Sequence, residues 1–163
     1  MVEKRVFGPF KHGATPSLKR ADLEFYRINH FRPSYVAHIY FNDREVDEAS
    51  DSADRKTYVG RFTIFGHQTC VGDPGHCVNH PPVASRFDDR PSHPLTRAFK
   101  RVLVTDAVRS SLTQDELTIT VIATTDPQAP REFEGPLLDF EGMQLAIFDG
   151  IGQPPDVART STP

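Results

Sequence analysis

The residues of this chain best suited to chemistry are the cysteines and histidines between positions 67 and 77. These side chains belong to His67, Cys70, His76 and Cys77. Soft thiolates together with imidazoles suit Cu(I) or Zn(II), and four such ligands can close a tetrahedral site. Gly72, Pro74 and Gly75 would let the chain between them fold back on itself. The pattern therefore predicts a metal site, which the downstream His80 and His93 could join.

The same cysteines support two other interpretations. A disulfide between Cys70 and Cys77 would close a short loop, and Asp73-Pro74-Gly75 supplies the turn for it. Both thiols could instead stay reduced and pack within the loop, as expected in a reducing compartment. Against a metal site, adjacent His76 and Cys77 point apart in extended backbone, and the spacing matches no known zinc module. We place the disulfide first and leave all three interpretations open. A nucleophilic cysteine with His67 or His76 as its general base is disfavoured.

Other kinds of site are excluded by composition and pattern. The net charge of −3 gives no electrostatic footprint for nucleic acid. No apolar run approaches the roughly 18–20 residues that span a bilayer, so no membrane span is expected. Residues 1–10 lack the apolar stretch of a signal peptide, which predicts a cytoplasmic chain as written, with export beside a partner as the alternative. A phosphate-binding glycine loop, a serine elbow and a carboxylate pair suited to acid–base catalysis are all missing from the sequence.

The elements that must position the Cys–His segment are β-strands. Alternation and β-branched or aromatic residues predict six strands, at 23–28, 35–41, 58–66, 101–105, 117–124 and 143–148. One or two helical turns are expected over 106–112, capped by Thr105 or Asp106. His38 alternates within an apolar strand and is expected to be a core or edge residue with a satisfied ring. Residues 67–98 have no secondary-structure period and predict one long Cys-, His- and Pro-rich loop.

This order of elements predicts an all-β domain, an antiparallel β-sandwich or barrel. The expected organisation is an N-terminal arm over 1–21, a β-domain over 22–149 and a flexible tail over 150–163. The alternation also predicts the core, which should contain Ile39, Phe41, Phe62, Ile64, Val102, Val104, Ile119 and Val121.

Three stretches carry a family resemblance. They are Phe62–Cys77 (FTIFGHQTCVGDPGHC), Phe87–Thr96 (FDDRPSHPLT) and Lys100–Arg109 (KRVLVTDAVR). With Tyr35–Asn42 and Leu117–Thr124, they make the chain resemble the C-terminal β-domain of bacterial tyrosinase and polyphenol oxidase-like proteins, which are type-3 copper oxidases. The resemblance covers roughly residues 22–125, here without the oxidase catalytic domain.

The resemblance implies a role beside an oxidase. In that family two sets of three histidines on a four-helix bundle hold the copper pair, whereas the seven histidines of this chain lie in segments that predict strand or loop. The family's β-domain packs over the copper site, shields it from substrate, and in some members is removed on activation. We therefore expect a non-catalytic accessory, cover or copper-handling domain whose partner is a tyrosinase-like oxidase domain or subunit.

Two functions of other classes stay open. One is an independent metal-binding protein, or a small metalloenzyme, built on the loop at 67–93. The other is a structural β-sandwich that mediates assembly through its sheet surface, with which a homo-oligomer would be compatible. The residues alone establish no cofactor, and copper and zinc are the candidates.

Overall fold

The computed structural model describes residues 1–47, 55–67, 96–128 and 133–149, together with the backbone of residues 156–161. Eight strands and one short helix lie in these ranges. They are β1 (Val2–Lys11), β2 (Arg20–Ile28), β3 (Tyr35–Phe41), β4 (Tyr58–Ile64), β5 (Ala98–Leu103), α1 (Thr105–Ser110), β6 (Glu116–Thr125), β7 (Gly142–Phe148) and β8 (Asp156–Ser161).

The strands form two four-stranded sheets that pack face to face. Sheet 1 has the order β1-β6-β3-β4, and sheet 2 has the order β5-β2-β7-β8. Every strand pair is antiparallel. In the described part of the chain no ladder joins the two sheets, so the domain is a β-sandwich and not a closed barrel. The predicted all-β fold is confirmed, and the sandwich is the form it takes.

Strands β1 and β8 lie where the sequence predicts an arm and a tail. Within the expected arm, β1 pairs with β6 from Val2 opposite Thr124 to Lys11 opposite Glu116. Within the expected tail, the backbone of β8 pairs with β7. Both strands are sheet edges, and the side chains of β1 are exposed or half-buried on both faces. An edge strand of that kind has no strong hydrophobic period, which explains why the pattern predicts no strand there.

Two local expectations are wrong. The helix α1 begins after Val104 without a side-chain cap, since the Thr105 hydroxyl accepts a hydrogen bond from the Ala21 amide at 3.0 Å. The alternation of β4 also predicts that Tyr58 points into the core with Phe62. A register shift between Ile39 and Tyr40 breaks that alternation, and Tyr58 packs with Tyr40 on the outer face of sheet 1.

The core lies between the sheets and contains all eight residues that the alternation predicts; each is at most 8% exposed. Its centre is aromatic. Phe25 of sheet 2 is fully buried, with its ring centroid 4.7 Å from that of Phe62 in sheet 1 and 5.3 Å from that of Phe140. Ring pairs at such distances add attraction beyond the area they bury. Phe25 therefore holds the two sheets together.

Replacement of Phe25 by alanine is expected to lower the free energy of unfolding by about 3–5 kcal/mol, because it leaves a cavity between the sheets. The matched control is Phe99→Ala, since Phe99 is 47% exposed on the outer face of sheet 2; it should cost less than about 1 kcal/mol. Urea unfolding followed by circular dichroism measures both. Equal losses in the two variants would contradict the placement of Phe25.

Candidate functional site

The two described ends of the Cys- and His-rich segment meet at His30. His67 follows β4, and its backbone amide donates a hydrogen bond to the His30 carbonyl at 2.8 Å. The two imidazole rings lie edge to face, with centroids 5.2 Å apart. A backbone group of Thr96, where the described chain resumes, hydrogen-bonds the His30 ring. The described chain thus stops at His67 and resumes at Thr96 beside the same histidine. We call this part of the sandwich the His30 end.

A polar corner holds His30 in place. The Asn29 amide donates to the Asp139 carbonyl at 2.8 Å, and the Asn29 side chain donates to the Asp139 carboxylate at 2.9 Å. The Arg32 guanidinium pairs with the same carboxylate and lies over the Phe133 ring, 5.0 Å from its centroid. Hydrogen bonds to charged groups are stronger than neutral ones. Residues far apart in sequence therefore fix the turn between β2 and β3.

Gly66 allows β4 to reach this corner. A Cβ atom on Gly66 would lie 1.9 Å from the Arg32 carbonyl oxygen and 2.5 Å from the Ser34 amide nitrogen, so no other residue fits without moving backbone. The Gly66 amide also donates to the Ser34 hydroxyl at 3.0 Å. This close approach brings the next residue, His67, against His30.

The His30 ring is set up to be neutral. Burial lowers its pKa from the ordinary value of 6.5, and the charge of His67 lowers it further, against a smaller opposite effect of the Thr96 backbone. A neutral imidazole is the form that ligates a metal ion. The Nε2 atom of His30 is buried and has no hydrogen-bond partner within the described structure. Such a nitrogen is an available ligand atom.

Tyr35 and Arg32 also carry buried polar atoms that have no hydrogen-bond partner among the described residues, the Tyr35 hydroxyl and the Arg32 Nε. Burial raises the pKa of the Tyr35 hydroxyl well above its usual range, and the carboxylates of Glu3 and Asp139 add to the shift while Arg32 opposes it. Tyr35 is thus a neutral phenol at any physiological pH. These two atoms add hydrogen-bonding capacity beneath the corner.

The sequence-predicted ligands fall into two groups. His67 lies at the His30 end, as described above. The others, Cys70, His76, Cys77, His80 and His93, lie outside the described residues, so the metal site and the Cys70–Cys77 disulfide stay predictions. In the described ranges, no group of three or more His, Cys, Asp or Glu side chains is arranged to hold a metal ion.

Sequence reasoning did not find His30, Arg32 or Asp139. None of them belongs to a recognisable motif, and they come together only because the turn after β2 packs on the segment before β7. The only local signal near His30 is Pro33, which restricts Arg32 to extended backbone. That signal indicates a turn and not a site.

A second polar cluster, on the outer face of sheet 2, has a structural role. The Asp22 and Glu24 side chains are 1% and 7% exposed. Arg101 pairs with the Glu24 carboxylate at 2.9 Å, and Arg20 pairs with Asp22 at 2.8 Å. Burial alone would raise the pKa of Glu24, but hydrogen bonds from Tyr26, Gln144 and Arg101 lower it overall. Both carboxylates are already bonded, which leaves little for a ligand.

The other two described histidines do not belong to the His30 end. The His12 ring lies 2.7 Å from the Gln114 carbonyl oxygen and accepts a hydrogen bond from the Ala14 amide, so it is structural. The His38 ring, expected to be satisfied, has a buried Nδ1 that finds no hydrogen-bond partner in the part of the chain that the structure describes. Its neighbours on the outer face of sheet 1 are Tyr58, with centroids 6.0 Å apart, and Arg61 on the paired position. Neither Tyr58 nor Arg61 forms a hydrogen bond with the His38 Nδ1.

Comparison with family models, curated proteins and solved structures finds no match for this chain. The tyrosinase-like resemblance therefore stays a prediction. Within the described ranges, no helix has the length and apolar character needed to cross a membrane.

His38 generates a prediction about pH. Burial, and then the charge of Arg61, lower its pKa in the folded protein below the ordinary 6.5. The unfolded chain therefore binds more protons as the pH falls below about 6.5, and the free energy of unfolding decreases there. Urea unfolding between about pH 7 and pH 5 measures this effect. As the pH falls, the free energy of unfolding of His38→Gln should decrease less steeply than that of the parent protein. The pH slope for Arg61→Gln should lie between those of the parent protein and His38→Gln. A slope in His38→Gln equal to that of the parent would contradict the lowered pKa of His38.

Proposed function

We propose that this β-sandwich is a non-catalytic accessory domain that covers a tyrosinase-like copper oxidase or delivers copper to it, acting through the His30 end. The observation that carries the proposal is the pairing of His67, the first ligand of the predicted Cys–His set, with the half-buried ring of His30, whose Nε2 atom is buried and whose pKa is lowered by burial. The pairing adds an imidazole to a set that the sequence already makes rich in soft ligands.

Copper fits this set better than a hard cation does. Thiolates and imidazoles bind Cu(I) and Zn(II), whereas Mg²⁺ and Ca²⁺ take oxygen ligands. His30 and His67 would supply two nitrogens, and Cys70, Cys77 and His76 are the sequence-predicted ligands that would complete the site. The resemblance to the oxidase β-domain selects copper over zinc.

An exposed aromatic residue beside this end supports a contact with a partner protein. Phe65 is 77% exposed, and its ring centroid lies 5.6 Å from that of His67. Exposed aromatic side chains are enriched at protein interfaces. A partner that covers Phe65 would lie directly against the histidine pair.

We assign the oxidase chemistry to a partner because of where the histidines of the described residues are placed. The described ones lie in strands or in the segments between them, and α1, the helix of the described part, carries none. The family's dicopper centre takes its ligands from helices. A role beside the oxidase accounts for the resemblance without requiring catalysis here.

Copper binding tests the metal part of the proposal. The chain, purified without a histidine tag, should bind Cu(I) with a stoichiometry near one in competition with a chromophoric chelator. His30→Ala and His67→Ala should each weaken binding about tenfold or more, the scale on which supporting residues of metal sites act. His38→Ala is the matched control and should bind as the parent does.

Thiol chemistry separates the alternatives for Cys70 and Cys77 in the same samples. Cysteine thiols that react with a thiol reagent only after copper is removed would support a copper site that includes Cys70 and Cys77. A disulfide between the two cysteines would leave only the histidine nitrogens as ligands. Copper binding that is unaffected by both His30→Ala and His67→Ala would contradict a role for the histidine pair.

The partner role is tested with a tyrosinase-like catalytic domain. Added to the copper-loaded oxidase, the chain should lower the rate of catechol oxidation, and the copper-loaded chain should raise the copper content of the empty oxidase. Phe65→Ala should weaken either effect, because it removes exposed apolar area from the contact. Phe99→Ala, an equally conservative change of an exposed phenylalanine elsewhere, should not.

Absence of both effects would contradict the accessory role. Copper binding without any effect on the oxidase would favour an independent metal-binding protein.

A further inference from the structure

A cleft of about 510 Å³ opens between the start of β4 and the segment that joins β5 to α1. Its walls include Lys56, Tyr58 and Val59 on one side and Leu103 and Asp106 on the other. None of its lining residues belongs to the His30 end. Its volume lies within the range of small-molecule sites, about 300–1,000 Å³.

The cleft follows from how the edges of the two sheets meet. At Gly60 they are in contact, since a Cβ atom there would lie 2.7 Å from Val102 Cγ1. Before Gly60, the register shift between β3 and β4 turns Tyr58 away from the core. After Val102, the chain turns into α1 at Thr105. The edges separate on this side, and the space between them is the cleft.

The charges at the cleft favour an anion. Lys56 is exposed, and no acid of the described structure pairs with its ammonium group. The other charged lining residue, Asp106, is exposed and forms an ion pair with Arg109, whose guanidinium lies 2.8 Å from its carboxylate. Gln114 accepts a hydrogen bond from the Asn42 side chain at 2.5 Å, so its amide nitrogen is left to donate. Lys56 is therefore the lining charge without a partner in the described structure, and Gln114 adds a neutral donor.

The remaining walls are apolar. Leu103 is 63% exposed, and the partly buried Tyr58 and Val59 also line the space. Exposed aliphatic and aromatic groups beside a cation match a ligand with an apolar body and one negative end. We propose that this cleft binds a small aryl carboxylate, with the ring between Leu103 and Val59 and the carboxylate at Lys56.

The test is a titration of the full chain with 3-phenylpropionate, followed by amide chemical shifts. Saturable shifts are expected at Thr57, Val59, Leu103 and Gln114, with a dissociation constant in the millimolar range, about what a ligand of this size reaches in an open site. The uncharged 3-phenylpropanamide should bind about fivefold more weakly, and acetate, which lacks the ring, should not saturate.

Two variants move the affinity in opposite directions. Lys56→Gln should weaken the binding of 3-phenylpropionate about fivefold, and Asp106→Asn should strengthen it about twofold. Both effects are of the size expected for exposed charges. Lys19→Gln, a change of an exposed lysine outside the cleft, is the matched control and should bind as the parent does. No saturation up to about 20 mM, equal binding of acid and amide, or shifts at other residues would each overturn the proposal.

Discussion

Burial of Phe25 against Phe62 and Phe140 sets the spacing of the two sheets. The sheets share no described hydrogen-bonded ladder, so apolar contact across the core is what keeps them together. The sandwich in turn fixes where the strands end. The turn after β2 and the end of β4 belong to different sheets. They meet at the His30 end because this contact packs the two sheets against each other.

Polar groups hold the His30 end where the core stops. Asp139 receives hydrogen bonds from Asn29 and pairs with Arg32, and this corner lies beneath the crossing of Gly66. The Asp139 carboxylate is half-buried, and these partners offset the desolvation that burial imposes on its charge. The same corner leaves the His30 Nε2 buried, with no hydrogen-bond partner among the described residues. Order at this end therefore comes from ionic and hydrogen-bonded contacts, and the free ring nitrogen is what makes it a candidate site.

The two candidate sites differ in chemistry because they lie at different openings of the sandwich. The His30 end presents two imidazoles beside a segment rich in cysteine and histidine, which suits a soft metal ion. The cleft beside α1 presents one lysine and aliphatic walls, which suits an organic anion. Neither uses the carboxylates of Asp22 and Glu24, which are bonded to arginines on the outer face of sheet 2.

Local pattern was enough to predict most of the fold. Ile39, Ile119 and Val121 were placed in the core because alternation along a strand depends only on neighbouring residues. The all-β class and six of the strands follow from the same signal. It failed for β1 and at Tyr58, because edge exposure and a register shift are properties of strand pairing and leave no mark on the local period.

The candidate site was predictable only in part. His67 and the cysteines were found from residue type and spacing, which state what chemistry is available. Their neighbour His30 was not, since its position beside His67 depends on a hydrogen bond between Asn29 and Asp139 and on the approach of Gly66 to Arg32. Contacts of that kind join residues far apart in the chain. They exist only once the sheets have packed, so no local pattern in the sequence records them.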